Sequence, residues 1–151
     1  MAKLNLKKLL SPRNVSLELK GKTKREVIAE MVDLLAGTGG INDREAALTC
    51  VLARENKMST GMEHGIAIPH GKTDTVNKLV VGVGIHHDGV DFQCLDRQPA
   101  HIFIMTVSPL NKSGPHIQFL AEVSRILGDA QVRDRLLAAE DPGEIIALLG
   151  G

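Results

Sequence analysis

The chain has few aromatic residues. They form 2% of its 151 residues, as three phenylalanines with no tryptophan and no tyrosine, so the aromatic platforms that stack on nucleic-acid bases are missing. Lysine plus arginine and aspartate plus glutamate are equal at 18 each, which leaves no basic field to hold nucleic acid or anionic lipid. We therefore expect a protein that does not bind nucleic acid.

The chain also lacks long hydrophobic runs and closely spaced cysteines. No stretch approaches the roughly 20 apolar residues that span a bilayer, and residues 1–10 lack the pattern of a secretory signal peptide. Cys50 and Cys94 have no CxxC spacing. We interpret them as reduced thiols, although a single disulfide stays open. The sequence predicts a soluble, cytoplasmic protein without membrane insertion.

Three apolar segments have the pattern of β-strands, and they cover residues 15–19, 79–85 and 102–107. The last is apolar nearly throughout, which is typical of a central strand covered on both faces. Gly82 and Gly84 share one face of the middle strand, so we expect another backbone to approach closely there. Asp88 and Gly89 indicate a turn that leads into a short hairpin arm.

Helical periodicity occupies both ends of the chain. Thr23 and Asn42 are each followed three residues later by a glutamate, which is the sequence signature of a helix start. Apolar stripes predict further helices over residues 117–127 and 132–139, and a final helix that is capped by residues 141–144 and bears Ile145, Ile146, Leu148 and Leu149. Helices at the ends with strands between them indicate an α/β fold. We predict a single domain, residues 1–151, with a central mixed β-sheet flanked by helices on both faces.

The most informative segment is GIAIPHG, from Gly65 to Gly71. A short apolar strand is expected to end at Pro69, so that His70 is presented at its terminus and Gly71 leaves room beside the ring. The pKa of an imidazole lies near physiological pH, and the neutral ring has a lone pair that can attack phosphorus. His70 is therefore a candidate nucleophile or ligand.

Four other residues are candidates to surround a phosphoryl group on His70. His116 lies at a predicted helix start, where free amides favour an anion, and it is suited to hydrogen bonding with phosphoryl oxygens or with the His70 ring. Arg54 offers a positive charge, and Ser59 and Thr60 offer hydroxyl donors. Spacing alone favours an ordinary surface arginine near a helix end and an ordinary turn or cap. Three other histidines are interpreted as solvated or structurally satisfied: His86, His87 and His101.

Several motifs in one order resemble a known family. They are Arg54-Glu55, Ser59-Thr60-Gly61, the segment from Gly65 to Gly71, and His116-Ile117 at the head of an amphipathic helix. The chain resembles the enzyme IIA domain of the phosphoenolpyruvate-dependent sugar phosphotransferase system, fructose/mannitol class, which includes a nitrogen-regulatory branch. The likeness extends from Leu9 to the last helix.

The resemblance implies a mixed sheet with flanking helices and a phosphotransferase-system component with a phosphohistidine intermediate. His70 would accept the phosphoryl group from the phosphocarrier HPr and pass it to a cysteine of a separate enzyme IIB during sugar uptake. His116 matches the second active-site histidine of the family, and Arg54 matches its arginine. Ser59, Thr60 and Gly71 would support phosphoryl binding, and no cofactor or metal is expected.

One position departs from the family, because members usually carry a second glycine where this chain has Glu63. A carboxylate would repel a phosphoryl group unless it points away or pairs with a cation such as Arg54. His64, next in the chain, is either a third active-site imidazole or an exposed loop residue. Apolar residues around the site are expected to receive protein partners, or else to pack in the core: Met62, Ile66 and Phe119.

Two other functions stay open at this stage. A solitary domain of the nitrogen-regulatory type would bind a target protein in one phosphorylation state, because a charge of nearly −2 on one histidine can switch an apolar interface. A metal site would instead gather His64, His70 and His116, with Asp74 as a further ligand. No metal-binding sequence motif supports this second alternative.

Overall fold

A computed structural model describes residues 6–111 and 113–150. The elements in chain order are α1 (Leu6–Leu9), a 3-10 turn (Pro12–Asn14), β1 (Val15–Ser16), α2 (Lys24–Ala36), α3 (Arg44–Lys57), β2 (Ile66–Ala67), β3 (His70–Thr73), β4 (Val80–Val90), β5 (Ala100–Pro109), α4 (Ser113–Leu127), α5 (Ala130–Ala138) and α6 (Pro142–Gly150). No helix in these two ranges has the length and apolarity needed to cross a bilayer. The cytoplasmic location stays a prediction.

The five strands form one mixed sheet. Its order is β1-β4-β5-β2. The β3 strand also pairs with β5, further along β5 than β2 does. The β4 and β5 strands are antiparallel, whereas β1 is parallel to β4, and both β2 and β3 are parallel to β5. The prediction of a mixed sheet with a central buried strand over residues 102–107 is confirmed, because β5 has neighbours on both sides.

Two hydrophobic cores lie on opposite faces of the sheet. Val81, Val83 and Ile85 of β4 pack with apolar residues of α4, α5 and α6. Val80 of β4 and Phe103 of β5 pack on the other face with α2 and α3. Side chains alternate along a strand, so one strand supplies both cores. The predicted helical layers on both faces are therefore confirmed.

The glycines of β4 make room for side chains, and the prediction of a close backbone was wrong. A Cβ on Gly84 would lie 2.5 Å from Cδ1 of Leu19 and 2.7 Å from Sδ of Met31. A Cβ on Gly82 would lie 2.8 Å from Cδ2 of Leu35, while the nearest backbone atom is 3.5 Å away. The missing side chains allow α2 to pack directly on the sheet.

The predicted turn at Asp88 and Gly89 is a bulge with φ 85° at Gly89, and the prediction that it leads into a separate hairpin arm was wrong. The β4 strand continues through it to Val90, with an irregularity in its pairing to β5 between Ile85 and Val90. His86 stabilises this irregularity, because its Nδ1 accepts from the amide of Gly89 at 3.0 Å and its Nε2 lies 2.7 Å from the carbonyl oxygen of Gly21. The interpretation of His86 as structurally satisfied is confirmed.

Helix starts and the first strand differ in detail from the prediction. Thr23 caps α2 and accepts from the Glu26 amide, as expected. The cap of α3 is Asp43 and not Asn42, since the Asp43 carboxylate accepts from the amide of Ala46. Only residues 15–16 of the first predicted strand pair regularly, and Leu19 adds one further bond from its amide to the carbonyl oxygen of Ile85.

Candidate functional site

His70 begins a strand, whereas the sequence predicted that it follows the end of one. The β2 strand stops at Ala67 and β3 starts at His70, and both pair with β5. Pro69 has no amide hydrogen, so it cannot donate to the ladder, although its carbonyl oxygen accepts from Thr106 at 3.2 Å. Proline thus interrupts the pairing and places the imidazole directly after the break.

One ring nitrogen of His70 is occupied by the backbone. Nδ1 lies 2.9 Å from the carbonyl oxygen of Ile68. A carbonyl oxygen only accepts hydrogen bonds, so Nδ1 carries the proton of the neutral ring. No residue in the described ranges bonds to Nε2. The backbone therefore selects the tautomer in which Nε2 has the free lone pair.

The surroundings of His70 favour its neutral form. Burial of the ring lowers the pKa of His70, and the positive charges of Arg54 and Lys72 lower it further. The hydrogen bond to Ile68 and the charge of Glu55 act in the opposite direction but do not outweigh burial. A neutral ring at physiological pH has a nucleophilic Nε2.

His116 lies beside His70, in the first turn of α4. The two ring centroids are 4.9 Å apart, with a tilt of 47° between the rings. Burial is the main cause that lowers the pKa of His116 to about 4, and the electrostatic interactions of this ring with His70, Lys72 and Arg54 act in the same direction. His116 is 6% exposed, and it is neutral near pH 7. Two neutral imidazoles from different elements therefore meet at one place.

Arg54 and Lys72 supply the positive charge of the site. Arg54 lies in the last turn of α3, and its Nη1 donates to the carbonyl oxygen of Met58 at 2.8 Å. Lys72 follows His70 by two residues in β3, so both side chains lie on the same face of the strand. Sequence reasoning missed Lys72, although this spacing of two residues was the signal for it.

The hydroxyls of Ser59 and Thr60 already have partners within the protein. Ser59 Oγ donates to the carbonyl oxygen of Phe92 at 2.7 Å. Thr60 Oγ1 donates to Oε1 of Glu55 at 2.5 Å, and the Thr60 amide donates to Oε2 of the same carboxylate at 2.9 Å. These side chains shape the segment after α3. That these hydroxyls donate hydrogen bonds to a phosphoryl group stays a prediction.

Glu55 is the buried centre of this network and was not among the predicted site residues. It is 6% exposed, and its Oε2 lies 2.9 Å from Nζ of Lys24. The same ammonium reaches Oε1 of Gln93 at 2.7 Å. Through these bonds, Glu55 connects the start of α2, the end of α3 and the segment after β4. Its place directly after Arg54 in the Arg54-Glu55 motif was the available signal.

The space at Gly71 is used by α3. A Cβ at this position would lie 2.6 Å from Sγ of Cys50 and 2.9 Å from the amide nitrogen of Val51. Side chains alternate along β3, so Gly71 faces α3 while His70 faces the opposite side of the sheet. The room that Gly71 leaves thus admits a helix, and not a group beside the ring. Cys50 and Cys94 are both free thiols.

Glu63 and His64 form an exposed turn. Their side chains are 64% and 58% exposed, and the His64 ring is 3.9 Å from the Glu63 carboxylate. The His64 amide donates to Asp96, and the backbone is left-handed at His64, with φ 64°. The ring of His64, and not Arg54, lies next to the Glu63 carboxylate. The structure thus leaves His64 as an exposed loop residue.

The metal alternative has no ligand set in the part of the chain that the structure describes. No group of three or more histidine, cysteine, aspartate or glutamate side chains within residues 6–111 and 113–150 has the arrangement to hold an ion. His64, which that alternative required beside His70 and His116, lies on the exposed turn. The histidine-based metal site is therefore not supported.

The expected apolar surface has a different composition from the predicted one. Ile66 and Phe119 are 6% and 0% exposed, so they pack in the core. Met62 is 39% exposed and remains a candidate. The large apolar side chains that are most exposed in the described ranges are Met58, Leu95, Leu110 and Ile117. Met58 accepts from Arg54 and Ile117 follows His116, so two of them adjoin the site.

The lowered pKa of His116 makes stability depend on pH. The folded protein leaves this ring neutral down to about pH 4, whereas an unfolded chain protonates it below about 6.5. Its contribution is therefore complete above pH 6.5 and is lost as the pH falls from 6.5 towards 4. We expect His116→Gln to reduce this loss of unfolding free energy by roughly 1 to 3 kcal/mol. Urea unfolding of the wild type and of His116→Gln at pH 7 and at pH 4.5 measures the two losses. Equal losses in the two proteins would contradict the prediction.

Comparison with known proteins shows the family to which the chain belongs. Residues 8–150 match the family model of the "Phosphoenolpyruvate-dependent sugar phosphotransferase system, EIIA 2". The chain belongs to this family. It is thus a phosphotransferase-system component of the EIIA type, and the resemblance seen in the sequence motifs is confirmed.

Relatives of this EIIA chain include sugar-specific EIIA components and nitrogen regulatory proteins. A fructose-specific EIIA component of Haloferax volcanii is 40% identical over 83% of this chain and 82% of its own length. A nitrogen regulatory protein of Bradyrhizobium diazoefficiens is 30% identical over 93% and 92%, respectively. The fructose-specific EIIABC component of Bacillus subtilis is 37% identical over 97% of this chain, which spans only 23% of that larger protein.

Solved structures confirm the fold of this EIIA chain. The IIA mannitol protein of Escherichia coli has a TM-score of 0.81 and 29% identity, covering 93% of this chain and 98% of the other. The nitrogen regulatory protein IIA-Ntr of Neisseria meningitidis has a TM-score of 0.85 at 24% identity, and the match covers 95% of this chain and 98% of the other. A complex of IIA mannitol with phosphorylated IIB mannitol from Escherichia coli matches with a TM-score of 0.81 and 29% identity, covering 94% and 97%.

Proposed function

We propose that this EIIA chain accepts a phosphoryl group from phospho-HPr on Nε2 of His70 and passes it to a cysteine of a separate enzyme IIB during sugar uptake. The observation that carries the proposal is the hydrogen bond of 2.9 Å between Nδ1 of His70 and the Ile68 carbonyl oxygen. It leaves Nε2 as the nucleophilic nitrogen of a half-buried ring.

The transfer needs no proton movement at His70. The Nε2 lone pair forms a bond to phosphorus while the nitrogen–phosphorus bond of the donor breaks, and the donor imidazole leaves with that electron pair. The proton on Nδ1 stays in its bond to Ile68, so the phosphorylated ring carries a positive charge. When a thiolate of the acceptor attacks phosphorus, the ring leaves as neutral imidazole. The Ile68 carbonyl therefore stabilises the ring in the charged state that makes it a good leaving group.

Charge and alignment supply the rest of the chemistry. Phosphoryl transfer depends mainly on positioning and on stabilising the charge of the equatorial oxygens. Arg54 and Lys72 act electrostatically on both imidazoles, so a phosphoryl group on His70 lies within reach of their field. The neutral His116 ring, 4.9 Å away between centroids, provides an N–H donor for a phosphoryl oxygen.

The partner surface is expected around these groups. Met58 and Ile117 are 71% and 63% exposed, and they flank Arg54 and His116. Exposed apolar side chains beside a reactive group are typical of a protein docking site. We propose that HPr and the enzyme IIB bind this same face in turn. The complex of IIA mannitol with phosphorylated IIB mannitol supports such a partner for this chain.

A regulatory role is the second candidate. The observation that favours it is the match to nitrogen regulatory proteins over nearly their whole length, as in the relative from Bradyrhizobium diazoefficiens. In this case the phosphoryl group on His70 would be a signal, because the added negative charge beside Met58 and Ile117 would weaken an apolar interface with a target protein. Transfer to enzyme IIB would then be slow or absent.

Intact-mass analysis tests both candidates. The purified chain is incubated with phosphoenolpyruvate, enzyme I and HPr, and an enzyme IIB with its acceptor cysteine is added afterwards. We expect an acid-labile gain of one phosphoryl group, followed by its loss to the IIB protein. Retention on this chain would favour the regulatory role. No gain with several HPr proteins, while another EIIA domain is labelled, would contradict the phosphocarrier function.

Arg54 provides a test through the pH dependence of labelling. Removing its positive charge in Arg54→Gln raises the pKa of His70, because that charge now lowers it. The acidic limb of the rate profile should therefore move to higher pH, and the maximal rate should fall by about a hundredfold as charge stabilisation is lost. Initial rates of labelling between pH 5 and 8 measure both effects.

Arg135→Gln is the matched control, because Arg135 is an exposed arginine of α5. This variant should leave both the acidic limb of the pH–rate profile and the maximal rate of labelling unchanged. An Arg54→Gln profile that coincides with the control would show that Arg54 does not act on the reacting groups.

A further inference from the structure

The side chain of Arg54 is held by the backbone that follows α3. Its Nη1 donates to the carbonyl oxygen of Met58 at 2.8 Å. Met58 lies just past the helix in an extended conformation, with φ −166° and ψ 133°, so the helix itself does not fix this carbonyl. A long side chain loses rotamer freedom when it is ordered. The place of the guanidinium therefore depends on what fixes the segment from Met58 to Thr60.

Thr60 connects this segment back to α3. Its Oγ1 donates to Oε1 of Glu55 at 2.5 Å, and its amide donates to Oε2 at 2.9 Å. Both residues are 6% exposed. Two bonds to the two oxygens of one carboxylate fix direction as well as distance. Thr60, two residues after Met58, is thereby fixed to the helical residue that directly follows Arg54.

Ser59, between these two residues, is fixed by the chain on the other side. Its Oγ donates to the carbonyl oxygen of Phe92 at 2.7 Å and accepts from the amide of Gly61 at 3.1 Å. The segment that follows α3 is thus bonded both to Glu55 and to the segment after β4. These bonds leave the Met58 carbonyl little freedom to move.

Lys24 keeps the Glu55 carboxylate in its charged, double-acceptor form. Its Nζ lies 2.9 Å from Oε2 of Glu55 and 4.8 Å from the centre of the Phe92 ring, and it donates to Oε1 of Gln93 at 2.7 Å. A buried carboxylate is costly unless it is paired and hydrogen-bonded. With this ammonium as its partner, Glu55 accepts through both oxygens.

The Thr60 hydroxyl has one proton, and Glu55 receives it. To donate to a phosphoryl oxygen instead, Thr60 would have to give up its bond to a buried carboxylate. An unmade hydrogen bond of a buried group is costly. The bonds around Thr60 therefore favour a role that is exerted through the backbone and not by direct contact with the phosphoryl group.

We propose that Glu55 and Thr60 are positioning residues for Arg54. Their two hydrogen bonds fix the segment after α3, so that the Met58 carbonyl holds the guanidinium at the site of the two histidines. The role in transfer rests on the proposed phosphocarrier function. The place of Arg54 does not, since these bonds exist in the protein before any phosphoryl group arrives.

The test is Thr60→Val, which removes the hydroxyl with little change of shape and none of charge. The charged groups that act on His70 are Arg54, Lys72 and Glu55, and Arg54 lowers the pKa of His70. A guanidinium that leaves its place raises this pKa. The acidic limb of the labelling rate should therefore move to higher pH, and the maximal rate should fall by about threefold to tenfold, the value of one hydrogen bond. Movement of the limb to lower pH would overturn the inference.

A double variant separates positioning from direct contact. If Thr60 acts through Arg54, Thr60→Val should change the rate by less than about twofold in a protein that already carries Arg54→Gln. If its hydroxyl binds the phosphoryl group directly, the two losses multiply, and the positioning role is overturned.

Two single variants separate positioning from a general loss of stability. Thr60→Ser keeps the hydroxyl and should retain the limb and the rate of the wild type. Thr38→Val is the matched control, because the Thr38 hydroxyl donates to the Leu35 carbonyl oxygen at 2.7 Å at the end of α2. This control should lower the urea midpoint and leave the limb unmoved. An equal shift of the limb in Thr38→Val would overturn the inference.

The titration of the His70 ring by NMR gives a reading that needs no phosphoryl donor. Thr60→Val should raise the pKa of His70 in the free protein, and an unmoved titration with an unchanged rate would overturn the inference while leaving the phosphocarrier function intact. A wild type that phospho-HPr does not label would overturn that function. The titration would then still decide whether Thr60 places Arg54.

Discussion

His70→Gln is expected to abolish labelling by phospho-HPr, with a fall in rate of about a thousandfold or more. The amide of glutamine can still donate to the Ile68 carbonyl oxygen, which accepts from His70 at 2.9 Å. It has no nucleophilic nitrogen lone pair, so the bond to phosphorus cannot form. Acid-labile incorporation, measured by intact mass over time, gives the rate.

Two further histidine variants are controls for the expected loss of labelling in His70→Gln. His64→Gln should be labelled at the wild-type rate, because that ring is 58% exposed on a separate turn. His116→Gln should be labelled slowly but completely, since it loses a positioning group and keeps the nucleophile. If His70→Gln still gains one phosphoryl group, the acceptor is another residue and the proposed role of His70 is wrong.

Glu55→Ala is expected to lower the free energy of unfolding by about 3 kcal/mol or more. Glu55 is buried, and it accepts from both the amide and the hydroxyl of Thr60 while pairing with Lys24 at 2.9 Å. Alanine leaves the amide and the hydroxyl of Thr60 without a partner, removes the anion beside Lys24 and opens a cavity. Urea denaturation followed by circular dichroism measures the loss.

Glu55→Gln and Glu63→Gln complete this test. Glutamine at position 55 keeps the shape and one acceptor oxygen, so its cost should be smaller, about 1–2 kcal/mol. The exposed Glu63 carboxylate, 3.9 Å from the His64 ring, should change stability by less than about 0.5 kcal/mol on replacement. A Glu55→Ala protein with the urea midpoint of the Glu63 variant would show that the network does not stabilise the fold.

The fold was largely predictable because hydrophobic periodicity is local. The apolar run over 102–107 predicted a central buried strand, and β5 has that place. Predictions failed where a tertiary contact overrides the local pattern. The turn signal at Asp88 and Gly89 becomes a bulge within β4, with φ 85° at Gly89, because Val90 still pairs with Ala100 of β5 and His86 accepts from the Gly89 amide.

The site was predictable in part, from the residues whose types carry chemistry. His70, His116 and Arg54 were predicted as candidates, and the structure places the two rings next to each other and within the electrostatic influence of Arg54. Lys72 and Glu55 were not, because lysines and glutamates occur widely on protein surfaces and single out no site. The apolar surface was predicted poorly, since Ile66 and Phe119 carry no local sign that they face the core.

The amino-acid sequence by itself determined the α/β class, the family and the identity of the candidate nucleophile, because hydrophobic period and ordered motifs are properties of neighbouring residues. Only the tertiary structure decided which nitrogen of His70 is free, since that depends on the position of one carbonyl oxygen. It also decided that the rings of His70 and His116 meet, with their centroids 4.9 Å apart. Strand register and helix packing set such distances, and they arise from contacts between residues far apart in the chain.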